Sequence, residues 1–345
     1  MLLPFQYIIS VDRRKLNEKL LSAAEAQDGV QIHFDHALHS MDLDAKKATF
    51  KLPDNSSTTV TSDLFIGADG AFSATRKEIM KKTRCVFSLL SLSSGKENKK
   101  KQLIISISMN FNQQYIDHAY KELTIPAGPN DTYLLDNGHL HIWPRHSFMM
   151  IALPNKDKSF TCTLFMPNDT FESITTEAQV IEFFEKHFPD AIPLMTKERL
   201  LHNYFKNPTG SLVYVKCTPY HYNSAAVILG DAAHAMVPFY GQGMNAGFQD
   251  CVVFDDLLDK FANDFAKVLP AYTENQYPNS AAIVDLALGN YVEMRSKVAS
   301  QWFLLQKKTE AFLHKFAPKE IIPQYTMVSF TEVPSLLSMF SVVKT

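Results

Sequence analysis

The sequence predicts an α/β fold: parallel strands carrying a ligand crevice, an antiparallel sheet laid over it, and helices towards the C-terminus. Three observations predict it. First, Ala226-Val227-Ile228-Leu229 is a short apolar run suited to a strand buried on both faces. It ends at Gly230-Asp231, which places a carboxylate at the carboxyl end of a strand, where open α/β sheets bind ligands. Second, Gly241-Gln242-Gly243 opens a helix near Met244, whose first turn offers free backbone N–H groups and the positive end of the helix dipole. Third, residues 139–143, 147–153 and 159–166 alternate with period two and end in or near proline, as consecutive antiparallel strands do.

In chain order, residues 7–11 read as a strand or extended lead-in. Asp12 suits the N-cap of a helix whose apolar face is Leu16, Leu20, Leu21 and Ala24. Residues 30–34 alternate as a strand. Residues 48–52, a Pro53-Asp54-Asn55 turn and residues 58–61 form a hairpin. Residues 64–67 are a buried strand, followed at once by Asp69-Gly70, Ser73 and Arg76. Taken alone, that stretch is a strand-to-helix turn with Ser73 as N-cap and Arg76 on a solvated face. Residues 86–110 are rich in Ser and Lys and form no amphipathic face of useful length, which predicts an exposed loop. A polybasic membrane patch is the alternative for Lys99-Lys100-Lys101. Residues 178–188 form an amphipathic helix, and residues 211–217 a strand leading back to the crevice. From 279 to 316 the pattern is helical, with Ile283, Leu286, Tyr291 and Met294 on one packing face and Val298, Trp302, Leu305, Phe312 and Phe316 on another.

A chain of 345 residues, 46% hydrophobic, supports one large two-part domain or two domains and excludes global disorder. A formal charge of −2 gives no reason to invoke nucleic acid. Cys85, Cys162, Cys217 and Cys251 are far apart and show no zinc or disulfide spacing, so they read as reduced intracellular thiols. No metal-ligand constellation is evident. Met1-Leu2-Leu3-Pro4-Phe5 is too short for a secretory signal, and no run reaches the roughly 18–20 apolar residues of a membrane span.

Gly230-Asp231-Ala232-Ala233-His234, Pro238 and Gly241-Gln242-Gly243-Met244-Asn245, in this order and spacing, resemble the second flavin motif of the FAD-dependent aromatic monooxygenases. With that motif present, the Asp69-Gly70…Ser73…Arg76 stretch also resembles the family's flavin crevice. Residues 122–126, 141–145, 148–154, 158–167, 290–295 and 322–328 resemble the kynurenine-hydroxylating members of that family. The resemblance covers roughly residues 6–84 and 111–330.

The resemblance implies FAD as cofactor, NADPH as co-substrate, and O₂ and L-kynurenine as reactants, giving 3-hydroxykynurenine in tryptophan catabolism and NAD biosynthesis. It implies a place on the cytosolic face of the mitochondrial outer membrane. It assigns Arg13, Leu38, Asp69, Gly70, Gly230, Asp231, Pro238, Gly241, Gly243, Met244 and Asn245 to the cofactor. It assigns Asn290, Tyr325 and Phe239 to the substrate, and no side chain to catalysis, since the flavin carries the chemistry. It divides the chain into an incomplete FAD-binding part at 1–85 and 218–280, an inserted loop at 86–110, a substrate-domain sheet at 111–217, C-terminal helices at 281–330 and a tail at 331–345.

The chain also departs from the family pattern. The family opens with a strand, a GxGxxG turn and a helix that hold a pyrophosphate, whereas residues 1–20 contain no glycine. The family's substrate-gripping Arg and Tyr and its membrane-anchoring tail are unmatched too. The expectation is therefore an aromatic-hydroxylase-type fold lacking its first βαβ unit, with an antiparallel substrate sheet and C-terminal helices. The chain expressed as written is expected to hold FAD poorly, to be inactive and, without the anchor, to be cytosolic. Another FAD-dependent ring hydroxylase and a non-catalytic truncated isoform remain open as alternatives. The flavin colour of the purified chain separates the isoform from the enzymes.

Overall fold

A computed structural model describes residues 13–85, 109–295 and 322–330, with positions 305, 308, 309, 312, 313 and 316 between them. Helix α1 (Arg13–Glu25) comes first. A meander of β1 (Ala37–Asp42), β2 (Lys47–Lys51) and β3 (Ser57–Thr61) follows, antiparallel throughout. Its second turn forms where the sequence places it. The Asp54 carboxylate accepts the Ser56 N–H at 2.9 Å, and Asn55 takes a left-handed conformation at φ 63°. Residues 30–34 do not form the expected strand. Val30 and Phe34 are 46% and 67% exposed, the backbone turns at Asp35 (φ 59°), and the His36 ring bonds the Phe34 carbonyl. Alternation alone makes no strand where no neighbouring strand takes up its backbone groups.

Next come β4 (Phe65–Gly67) and α2 (Ala74–Cys85). β4 is less buried than expected: Gly67 is buried, but Ile66 is 51% exposed. The close fit of α2 over β4 requires Gly67, because a Cβ there would meet the Thr75 side chain at 2.6 Å.

The largest sheet holds β5 (Asn110–Ile125), β6 (His141–Arg145), β7 (Phe148–Pro154), β8 (Phe160–Pro167) and β9 (Thr209–Thr218), in the order β6-β7-β8-β5-β9. Helices α3 (Asn168–Ser173), α4 (Glu177–His187), α5 (Ile192–Met195) and α6 (Lys197–Lys206) join β8 to β9 and pack on one face of the sheet. The predicted helix at 178–188 is α4. Thr176 and Gln179 close a reciprocal capping box at its start, and Val180 and Phe184 are buried. β5 was not foreseen as a strand, yet it pairs with both β8 and β9.

A three-stranded sheet completes the fold: β10 (His221–Tyr222), β11 (Ala226–Ile228) and β4, with β11 and β4 parallel. All three residues of β11 are buried, as predicted. Then follow a four-residue helix α7 (Asp231–His234), a 3-10 turn (Pro238–Tyr240), α8 (Gly243–Lys260) and α9 (Phe265–Arg295). The last described helix spans Gln324–Phe330.

α9 begins well before residue 279, with Pro270 and Pro278 inside it. Its predicted packing face holds, since Ile283, Leu286, Tyr291 and Met294 are buried. The second predicted face does not. Leu305, Phe312 and Phe316 are 55%, 60% and 73% exposed, so apolar spacing there has no surface to pack on among the described residues. Val298, Trp302, residues 7–11, residues 86–108 and the tail at 331–345 lie outside the described residues. Of the predicted loop at 86–110, Asn110 already belongs to β5, and Met109 beside it is buried.

Candidate cofactor crevice

β4 and β11 lie side by side and parallel, with Phe65 beside Ala226 and Gly67 beside Ile228. The Leu229 N–H donates to the Gly67 carbonyl at 3.0 Å. Both strands therefore end at the same edge, and two residues beyond Gly67 and Leu229 each chain carries an aspartate, Asp69 and Asp231. The two carboxylates start from neighbouring strand ends, as the sequence predicts.

Their environments differ. Asp69 accepts the Ser73 hydroxyl at 2.5 Å, the Thr75 N–H at 2.9 Å and the Thr75 hydroxyl at 3.1 Å. Burial pushes its pKa up, but these bonds outweigh it and hold the carboxyl below its ordinary value. Ser73 in turn accepts the Arg76 N–H at 2.8 Å and is the N-cap the sequence predicts. Gly70, with φ 77°, makes the turn between them. Asp69 thus holds the start of α2. Asp231 is exposed, and its carboxylate takes no hydrogen bond from a described residue.

Arg76 does not lie on a solvated face. It is 1% exposed and reaches across to α7, donating from Nη1 to the Ala232 carbonyl at 2.5 Å and from Nη2 to Ala71 at 2.6 Å. Its guanidinium also sits 5.0 Å over the Phe111 ring. The reason lies in α7. A helix of four residues cannot satisfy its own carbonyls, so the surrounding protein must. Arg76 takes that of Ala232, the Cys217 thiol takes that of Ala233 at 3.2 Å, and the Val215 N–H takes that of Ala235 at 2.8 Å.

The entry to α7 is held as firmly. Gly230 adopts φ 57°, ψ −138°, a conformation closed to residues with a Cβ, and a Cβ placed on it would lie 3.9 Å from the Gly247 Cα on α8. Its N–H donates to Asp250 Oδ2 at 2.7 Å. One turn before Gly247, α8 begins. Gly241 (φ 67°) ends the 3-10 turn, no side chain caps the helix, and its first helical bond runs from Ala246 to Gln242 at 2.8 Å. The N–H groups of Gly243, Met244 and Asn245 therefore have no partner within the helix. Pro238, Gly241, Met244 and Asn245 are exposed beside them. Pro238, Gly241, Gly243, Met244 and Asn245 thus lie around the start of α8, and Gly230 and Asp231 open α7, with Asp69 and Gly70 at the neighbouring strand end and Gly230 packed against Gly247 of α8.

The wall behind Pro238 is apolar. Phe239 is 6% exposed, stacks on Tyr291 at 4.0 Å and lies 4.8 Å from the Phe165 ring. Asn290, 7% exposed, donates from Nδ2 to the Phe239 carbonyl at 2.7 Å and to Met294 Sδ at 3.3 Å. Asn290 and Phe239, paired by the resemblance, are therefore bonded directly. Leu38 lies in β1 and Arg13 opens α1, both in elements that precede β4 rather than at the strand ends. The side chains of Arg13 and Tyr325 lie outside the described residues; Tyr325 falls in the helix Gln324–Phe330.

One functional cluster was not foreseen. Asp250 is fully buried and accepts three donors: the Gly230 N–H, His234 Nε2 at 2.6 Å and Gln276 Nε2 at 2.7 Å. Burial raises its pKa, but the bond and charge of His234 with the other two donors outweigh that and leave it below its ordinary value. A carboxylate accepts only, so His234 carries its proton on Nε2. A signal was present in the sequence: Asp250 shares the helical spacing of Phe254 and Leu257, an acid in an apolar stripe.

The family profile described as "FAD binding domain" matches residues 5–95 and 147–287. Kynurenine 3-monooxygenase of Sus scrofa is 45% identical over 328 residues, 95% of this chain and 64% of that protein. The Anopheles gambiae protein of that name is 44% identical, over 95% of this chain and 63% of its own length, and the Dictyostelium discoideum one 43%, over 95% and 68%. The chain thus spans just under two thirds of the first two relatives. Among solved structures, the tetrameric form of 2-methyl-3-hydroxypyridine-5-carboxylic acid oxygenase matches with a TM-score of 0.59 at 17% identity, over 83% of this chain and 68% of that one. Klebsiella pneumoniae HpxO complexed with FAD and uric acid matches with a TM-score of 0.59 at 16% identity, over 86% and 68%. Both show the fold.

Proposed function

The chain belongs to the kynurenine 3-monooxygenase family, whose fold carries an FAD-binding domain, and from that premise we propose that the protein hydroxylates L-kynurenine to 3-hydroxykynurenine with FAD, NADPH and O₂. One observation carries the reading. The exposed carboxylate of Asp231 follows β11 directly after Gly230, which packs against Gly247, one turn into α8 from its uncapped N-terminus.

The residues present fit a flavin. An exposed carboxylate accepts hydroxyl donors, as a ribityl chain offers. Free N–H groups at a helix start stabilise negative charge on the edge of a reduced ring. When bound, the flavin supplies hydride acceptance and oxygen activation. The chain's own residues position and enclose. Gly230 and Gly241 let the backbone come close, Pro238 and Phe239 form a dry wall, and Asn290 fixes that wall through the Phe239 carbonyl. Tyr325 joins Asn290 on the substrate side, and Arg13 and Leu38 serve the outer part of the cofactor. The stretches 1–85 and 218–280 are then the FAD part, 86–110 an inserted loop, 111–217 the substrate sheet, 281–330 the C-terminal helices and 331–345 a tail. The proposed location is the cytosolic face of the mitochondrial outer membrane; among the described residues, no helix is long and apolar enough to cross a membrane.

The test is to add FAD, NADPH, O₂ and kynurenine to the purified protein and measure 3-hydroxykynurenine. Asp231→Ala is expected to weaken FAD binding roughly 10–100-fold, the worth of one charge-assisted hydrogen bond. FAD binding that ignores Asp231 would overturn the assignment.

A further inference from the structure

Three donors from three elements converge on the two oxygens of Asp250. The Gly230 N–H and His234 Nε2–H share Oδ2, and Gln276 takes Oδ1. Gly230 precedes α7, His234 ends it, and Gln276 lies on α9. The carboxylate therefore grips both ends of the four-residue helix that begins with Asp231, and ties it to α8 and α9. Nearby, His234 Nδ1 is buried with no hydrogen-bond partner among the described residues, whereas Asp250 has its three donors. The cluster is thus organised around the carboxylate and not around the histidine.

We propose that Asp250 is a positioning residue. It presets the glycine-only turn at Gly230 so that the Asp231 carboxylate and the α8 N-terminus meet one ligand, before that ligand binds. Asp250 itself is fully buried and reaches no surface, so it acts only through Gly230 and Asp231. The local geometry explains the need. A glycine has the widest conformational choice of any residue, so a glycine held at φ 57°, ψ −138° requires an external restraint, and the 2.7 Å bond to Asp250 is that restraint. The proposal rests on the flavin reading of the crevice.

Two variants separate geometry from charge. In Asp250→Asn the side-chain oxygen still accepts from Gly230 and His234, and the amide donates to a flipped Gln276, so every bond has a replacement. In Asp250→Ala all three donors lose their acceptor. The readouts are the FAD dissociation constant, from flavin fluorescence, and amide hydrogen exchange over residues 229–235, with residues 160–166 of β8 as an internal control. Asp250→Ala is expected to weaken FAD binding at least tenfold and to speed exchange at 229–235 while β8 stays protected. Asp250→Asn is expected to stay within about threefold of the parent in both. Combined with Asp231→Ala, the Asp250→Ala loss should largely vanish, because it acts through Asp231. Equal losses in Asn and Ala, or full additivity with Asp231→Ala, would overturn the proposal. If Asp250→Ala also exposes β8, Gln276→Met decides: faster exchange at 229–235 alone supports the clamp, and unchanged exchange sinks it. If the parent holds no FAD yet its 229–235 exchange responds to Ala and not to Asn, the clamp stands and the flavin reading fails. If FAD binds the parent and the Asp250 variants alike while Asp231→Ala weakens binding, the reading stands and the clamp fails.

Discussion

The five-stranded sheet and the cofactor crevice are built to different degrees of closure. The sheet is covered on both faces. Leu123, Phe160 and Leu164 pack beneath Phe184 and Phe188 of the α3–α6 layer, and Met149, Phe165 and Leu212 share a core with Ile283 of α9. Its longest strand, β5, is bonded on both edges. The crevice half rests on strands of three, three and two residues. It leaves Ile66 51% exposed, and along α8 Met244, Phe248 and Val252 are 48%, 43% and 61% exposed, spaced as one helical stripe. The closed region carries the stability, and the open one carries the groups proposed to meet the cofactor. Binding sites sit where backbone and side-chain groups are left without partners, and that is where a chain covers its own surface least.

The largest expected effect falls on the closed side. Phe184 is fully buried among Phe183, Phe188 and the sheet residues. Phe184→Ala should cost about 3–5 kcal/mol, through lost burial and an unfilled cavity. The midpoint of denaturant unfolding measures it. A loss under about 1 kcal/mol would show that this core is looser than the contacts indicate.

Next in size is the contrast between the two aspartates. Asp69→Ala removes the acceptor at the start of α2 and should cost about 1–2 kcal/mol of stability. Asp231→Ala should leave stability within about 0.5 kcal/mol while weakening FAD binding. The pH dependence sharpens this. The pKa of Asp69 is depressed in the folded chain, so its contribution is present above the unfolded value and is lost as pH falls through the folded one. Stability measured from pH 6 down to pH 3 should fall less steeply in Asp69→Asn than in the parent. Parallel curves would remove the stabilising role given to Asp69.

The legible parts of the sequence were those whose signal is local. The β2–β3 hairpin follows from its turn residues, α4 from its cap and apolar stripe, and β11 from an apolar run ending at glycine. The first half of β5 was not legible, because Asn110, Asn112, Gln113 and Gln114 mark no apolar alternation; pairing with β9 makes it a strand. The start of α9 was hidden by Pro270 and Pro278, which the packing of Tyr272 and Ile283 overrides. At the crevice, Gly230, Asp231 and the α8 start were readable from motif chemistry. The partners of Arg76 and Asp250 were not, because each lies on another element, at Ala232 and Gln276, and only the fold brings them together.

The smallest expected effect tests the open side directly. Phe248 and Val252 lie one turn apart on the exposed face of α8, and Asp250, Phe254 and Leu257 face inward. A side chain already in water loses little on truncation. Phe248→Ala and Val252→Ser, made in a polypeptide of these 345 residues, should each change unfolding stability by less than about 0.5 kcal/mol. The same stripe is an apolar surface of the kind that binds hydrophobic dyes, so the double variant should also lower binding of such a dye. The contrast with Phe184→Ala is then severalfold for the same side chain, fully buried at 184 and 43% exposed at 248. A loss of 2 kcal/mol or more at Phe248 would mean that the stripe is covered in solution, and the open half would then be as closed as the sheet.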